Sequence, residues 1–315
     1  MPWYIADDFS GDNFAQEIEI DYPDLPTSEL LALAREGDTE ALDYLTVGRV
    51  GSKSFYLKYS EDQPRVPAGQ PGGGEFGSGE GGRLQHLDSG ALMVGVDPSL
   101  QGRVRALGDT VGQGINLSGI DARTQEGVVR SLESFHENYP KVSVSVNALP
   151  QIIVASGVGA GGDIIYSKPL ATTTAAGGGT SKIELNNEFF GDPARLGGTW
   201  EASLNTGFHP EGTGQGTGGS AKAIMDHELG HALGNYLPPG TEVNAWMKGY
   251  EAGGSPKTLE GEQALKSSIS FYACQNVREC VAEAACAVGG SYPSPVARAI
   301  MGEMNAAYAR LTEFA

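Results

Sequence analysis

Basic residues are scarce in this chain: 21 lysines and arginines stand against 39 aspartates and glutamates over 315 residues, a net charge of -18. A surface of that sign repels phosphate backbones, so nucleic-acid partners are disfavoured. Its plain consequence is solubility. Cysteine is scarcer still. Cys274, Cys280 and Cys286 are the three present, spaced six apart. The odd number and that spacing fit neither a disulfide framework nor a usual zinc pattern, and the three read as small core residues. Apolar runs of roughly 18 or more are missing, which excludes a membrane-spanning helix. The start, Met1 to Asp12, lacks the basic opening and apolar core of a signal peptide. Localisation stays open, with a carrier particle and another export route both compatible.

Residues 1–62 read as a small N-terminal region. Two short helices over 26–45, with Thr27 and Asp38 as N-caps, precede a short strand over 54–59. Residues 63–90, opening on Pro64-Arg65-Val66-Pro67, are rich in glycine and proline and form a flexible linker. Residues 91–120 are a connecting segment without an assigned role. The remainder, 121–315, reads as one domain. A helix over 123–139 carries Val128, Val129, Leu132 and Phe135 on one side and is stopped by Pro140. Strands are expected over 141–149, 151–155, 163–167 and 181–186. A glycine-rich stretch, 207–219, leads into a further helix, and helical stretches follow over 258–271, 276–288 and 294–311. Strands first and helices afterwards predict an α+β fold. Gly157-Val158-Gly159-Ala160-Gly161-Gly162 matches a dinucleotide fingerprint, but a strand-like stretch follows it where a helix is required. It reads as a hairpin.

Histidine is also rare, and two of the five fall in one pentapeptide, His227-Glu228-Leu229-Gly230-His231. On a helix, residues four apart share a face, so both imidazoles can grip one zinc ion. Glu228 beside them can act as general base toward a water. A catalytic zinc usually has three protein ligands and an open position. One large group of zinc proteases carries a third histidine six residues after the second. Here that position is Leu237. A glutamate from a later helix is the other solution, and Glu279 and Glu283, four apart after the N-cap candidate Asn276, share a face with Ala282 and Cys286. Two carboxylates on a small, apolar face need a partner. One would bind the metal and the other would hold an imidazole. A solvated acidic face is the alternative.

His227-Glu228-Leu229-Gly230-His231 followed by Tyr272, Asn276, Glu279 and Ala282-Glu283-Ala284 resembles the catalytic core of anthrax lethal factor. It also resembles the zincin-like metallopeptidase domains of bacterial toxins and phage head-morphogenesis proteins. The resemblance covers about 125–315 and implies a zincin-like domain of mixed sheet, active-site helix and C-terminal helices. It implies His227, His231 and Glu279 as zinc ligands and Glu228 as general base. Tyr272 would stabilise the oxyanion or protonate the leaving amine, and Glu283 would orient a ligand. Gly207-Phe208-His209-Pro210 resembles what precedes the motif in the phage-type members, and the 64–76 linker resembles phage portal and head-associated segments. Cys280 and Val281 depart from the family, standing where aromatic residues are common.

The expected activity is zinc-dependent hydrolysis of a protein or peptide substrate. The candidate docking edge is Ile183, Glu184, Leu185 and Asn186, with His209 as a further candidate contact or else a plain surface histidine. The stretch 207–219 is a flap or a plain connector. The alternatives are a structural or interaction protein of a phage head, partnered by capsid components and carrying a non-catalytic zincin module, and a protease that cuts its own linker.

Overall fold

Alternation of polar and apolar residues places Val144, Val146 and Ala148 on one buried face of strand β4 (Ser143–Leu149). This strand lies inside a six-stranded sheet of the computed structural model, which describes residues 85–86, 92–158, 164–253, 265 and 267–313. The other strands are β1 (Gln85–His86), β2 (Leu92–Val94), β3 (Ile115–Asn116), β7 (Ala171–Gly177) and β8 (Thr180–Asn186), in the order β1-β2-β3-β4-β8-β7. The four central strands, β2, β3, β4 and β8, run parallel, and β1 and β7 close the two ends antiparallel. β5 (Val154–Val158) and β6 (Ile164–Ser167) form a separate antiparallel pair. A hairpin is thus compatible with the glycine run, although 159–163 lie outside the described residues. So do the N-terminal region 1–62, the linker up to 84, and 258–264.

Helix α1 (Gln101–Ala106) follows β2. Residues 92–120, which the sequence left without a role, contribute β2, α1 and β3. They bury Met93, Val104, Leu107, Ile115 and Leu117 in the same core as the later elements. The sheet therefore extends N-terminally of position 121, and β1 lies within the stretch expected as linker.

Helix α2 (Ala122–Asn138) starts where Asp121 accepts the Arg123 N–H, and it buries Val128, Val129, Leu132 and Phe135. Short α3 (Asn187–Phe190) and then α4 (Pro193–Asn205) follow β8. Helix α5 (Gly219–Tyr236), which carries both histidines of the pentapeptide, is buried along most of its length. It packs against α2, β7, β8 and α7 (Val277–Val288). Helices α6 (Thr241–Gly253) and α8 (Pro295–Glu313) pack on each other and on α7. Strand β7 and helices α4 and α6 have no counterpart among the elements expected from sequence. Among the described residues no helix is long and apolar enough to cross a membrane. None of the three cysteines forms a disulfide, and Cys280 and Cys286 are fully buried.

Strand β8 has neighbours on both sides, β4 and β7, so Ile183–Asn186 offers no open edge and the expected docking edge is corrected. Ile183 and Leu185 belong to the core, and Glu184 pairs with Lys182. Asn186 caps α3 through the Glu188 N–H. The edge strand on this side of the sheet is β7, which has no second strand neighbour among the described residues. It escapes a pattern search because Ala171-Thr172-Thr173-Thr174-Ala175-Ala176-Gly177 has no apolar alternation.

Helix α2 and the entry to α5 meet backbone to backbone. A Cβ at Gly127 would lie 2.0 Å from the Gly218 carbonyl oxygen. Gly218 has φ +65, and its own Cβ would lie 2.4 Å from the Arg123 carbonyl oxygen. Gly127→Ala is therefore expected to destabilise the fold by about 1–3 kcal/mol, as overpacking does. A lowered urea midpoint at unchanged slope would show it, and an unchanged midpoint would refute it.

Candidate metal centre

The pentapeptide sits mid-way along α5, where every side is covered. Its histidines and Glu228 are buried polar groups in an otherwise apolar stretch. Such groups need partners. Behind them Asp226 is anchored by Lys222 at 2.6 Å and by Ser131 of α2, which fixes the helix rotationally.

Small residues bring the partners close. At Gly230 a Cβ would meet Ala282 Cα at 2.8 Å and Ala285 Cβ at 2.9 Å. Helices α5 and α7 can therefore approach until Glu279 and Glu283 reach the imidazoles. Helix α7 begins where Asn276 accepts the Glu279 N–H at 3.0 Å, which places Glu279 in the first turn.

The structure gives the two carboxylates different places. Glu283 is fully buried and accepts from His227 Nδ1 at 2.8 Å, His209 Nδ1 at 2.9 Å and Ser270 Oγ at 2.7 Å. With Nδ1 donating to Glu283, a neutral His227 presents its Nε2 lone pair away from that carboxylate. Glu279 Oε2 lies 3.2 Å from His227 Nε2 and 3.4 Å from His231 Nε2, and the two nitrogens are 3.2 Å apart. These are nearly the edges of a tetrahedron about a zinc ion, about 3.3 Å for bonds of about 2.0–2.1 Å. Despite those short distances, Glu279 Oε2 is buried without a well-angled hydrogen bond. His227, His231 and Glu279 could thus hold a metal ion.

Glu228 accepts from Thr173 Oγ1 at 2.7 Å, and the same hydroxyl lies 3.1 Å from the Glu228 carbonyl oxygen. Thr173 lies on β7, so the edge strand and the candidate base are joined. Tyr272 opens a 3-10 turn, Tyr272–Cys274. Its ring lies parallel to His227 (5.8 Å between centroids, 17°), and Phe208 also stacks on it at 4.8 Å. Burial and then the charges of Glu279, Glu228 and Glu283 push its pKa up, so it stays an O–H donor.

No protein family, curated protein or solved structure compared with the chain matches it.

His209, expected as a substrate contact or else a plain surface histidine, is no plain surface residue, with 12 % of its side chain exposed. It stacks on Trp200 at 4.3 Å and spends Nδ1 on Glu283. The stretch 207–219 is a run of tight turns, with Gly207, Gly212, Gly214, Gly216 and Gly218 all at positive φ and Thr213 buried. Its Gly207 carbonyl accepts from the Phe271 N–H at 2.8 Å. Ser270 and Thr173 escaped the sequence reading. The only signal either carried is the position of Ser270 two residues before Tyr272.

Burial works against charge on His227, but the carboxylates of Glu279 and Glu283 outweigh it and hold its pKa well above the ordinary imidazole value. In the metal-free protein this pairing stabilises the fold fully below the ordinary value and is lost as pH rises through the raised one. A ligating imidazole must give up that proton. Zinc binding at neutral pH is therefore expected to release a proton, with affinity rising as pH rises toward the raised value. Calorimetry in buffers of different ionisation enthalpy would detect it, and a binding enthalpy independent of buffer would refute it.

Proposed function

We propose that this chain is a zinc-dependent peptidase with a zincin-like catalytic domain. The observation that carries the proposal is the triangle of His227, His231 and Glu279 donor atoms, 3.2–3.4 Å on a side, with Glu228 on the same helix. Two imidazoles and one carboxylate are the donor set of a catalytic zinc with one open position. Bound there, a zinc ion would supply Lewis acidity toward a scissile carbonyl and lower the pKa of water.

The chain's own groups do the rest. Glu228 takes a proton from the attacking water and hands it to the departing amine. The Tyr272 O–H donates to the developing oxyanion. Thr173 holds the Glu228 carboxylate in place from β7. A peptide adding to the edge of β7 would run past that carboxylate, and main-chain hydrogen bonding would align it.

The test is metal analysis of purified protein together with cleavage of a mixed peptide library. Stoichiometric zinc and cleavage abolished by a chelator, then restored by zinc, are expected. Protein that takes up no zinc after metal-replete expression would refute the proposal.

A further inference from the structure

We propose that Glu242, at the start of α6, is the positioning carboxylate of the second candidate ligand. With zinc bound, it accepts the Nδ1–H of His231, as Glu283 accepts that of His227. The inference rests on the metal-centre reading above and adds a residue to it.

Glu242 occupies space that only a glycine leaves. A Cβ at Gly234 would sit 2.1 Å from Glu242 Oε1, 2.7 Å from Cδ and 3.3 Å from Cγ. Gly234 is three residues beyond His231, and residues three apart are neighbours on a helix surface. The carboxylate is thereby pressed onto α5 one turn past the ligand, within electrostatic reach of His231.

Both groups have an atom to spare. Glu242 Oε1 and His231 Nδ1 are each buried without a hydrogen-bond partner. Leaving either unpaired is unfavourable, and more so for the charged group. Arg278 does not close the account. Its Nε lies 3.9 Å from Glu242 Oε1, too far for a hydrogen bond, while its Nη2 donates to Asn235 Oδ1 at 2.6 Å. Arg278 balances charge and leaves the oxygen free to accept. An imidazole that ligates through Nε2 carries its proton on Nδ1, and that proton almost always goes to a carboxylate, carbonyl or water. The donor and the acceptor are therefore both buried and unpaired on helices consecutive in the chain, and zinc binding brings them together.

The experiment uses the purified full chain with zinc as probe. Zinc affinity is measured by chelator competition for wild type, Glu242→Leu, Glu242→Gln and Gly234→Ala. In the zinc-loaded wild type, the His231 Nδ1–H is followed by NMR. Expected are a 10–100-fold weaker affinity in Glu242→Leu, a smaller loss in Glu242→Gln, which keeps a carbonyl acceptor, and a loss in Gly234→Ala, which displaces the carboxylate. The His231 Nδ1–H should resonate downfield and exchange slowly in wild type, and it should lose that signature in Glu242→Leu. A purely packing role would not move that signal. Wild-type affinity in a folded Glu242→Leu, or a wild-type Nδ1–H that exchanges as fast as an unbonded one, would overturn the inference and leave the metal centre standing. Should Glu242→Leu fail to fold, the wild-type signal and the Glu242→Gln affinity decide. A wild type that binds no zinc would overturn both.

Discussion

Glu228→Gln is expected to slow peptide hydrolysis by about 10²–10⁴-fold, the usual contribution of a general base, with zinc content equal to wild type. Glutamine keeps the size of the side chain and an oxygen that can accept from Thr173 Oγ1, so the bond across to β7 survives. What it loses is the capacity to take a proton. Glu228 is not among the three converging donors, so the metal site keeps its ligand set. Steady-state cleavage and metal analysis on one preparation decide the matter. Full activity would mean that the proton goes elsewhere. Lost zinc would mean that Glu228 holds the site together and does not serve the reaction.

Glu279→Ala is expected to strip the purified chain of zinc, whereas Glu283→Ala weakens binding by about 10–100-fold, as loss of an imidazole's supporting partner does. The sequence spacing makes these two glutamates equivalent, and the structure separates them. Glu279 contributes an oxygen that faces both Nε2 atoms. Glu283 contributes none there and gathers three donors behind the site. Its loss therefore carries a second signature. The Ser270 hydroxyl and the His209 imidazole are left without their buried acceptor, so the metal-free fold should lose more stability than in Glu279→Ala, which removes only the pairing with His227 and His231. Chelator competition paired with urea unfolding on both variants distinguishes them. Equal zinc affinity in the two would refute the division of labour.

The parts of the site that were legible in sequence are those set by spacing along one helix. His227 and His231 are one turn apart on α5, and Glu279 and Glu283 are one turn apart on α7 behind Asn276, so periodicity alone pairs them. The parts that were not legible depend on how chain segments far apart come together. Thr173 reaches Glu228 across 55 residues and Ser270 reaches Glu283 across 13, with no regular repeat linking them. The same limit misplaced the docking edge. Residues 183–186 look like an exposed edge only because β7, a run of threonines and alanines, carries no strand signal of its own. Strands β2 and β3, three and two residues long, are too short to show any period. Their place comes from parallel pairing with neighbours distant in the chain.

The grouping behind the metal site also bears on the order in which the chain folds. His227 meets Glu283 across 56 residues and His209 meets it across 74. Closing loops of that length costs entropy that no local contact repays. The histidines can form their helix early, but the carboxylates arrive only when α7 docks on α5. A zinc ion then has no complete site to seize until the barrier has been passed. Its presence should leave the refolding rate unchanged and slow unfolding, making the centre a latch on the finished domain and not a nucleus for it.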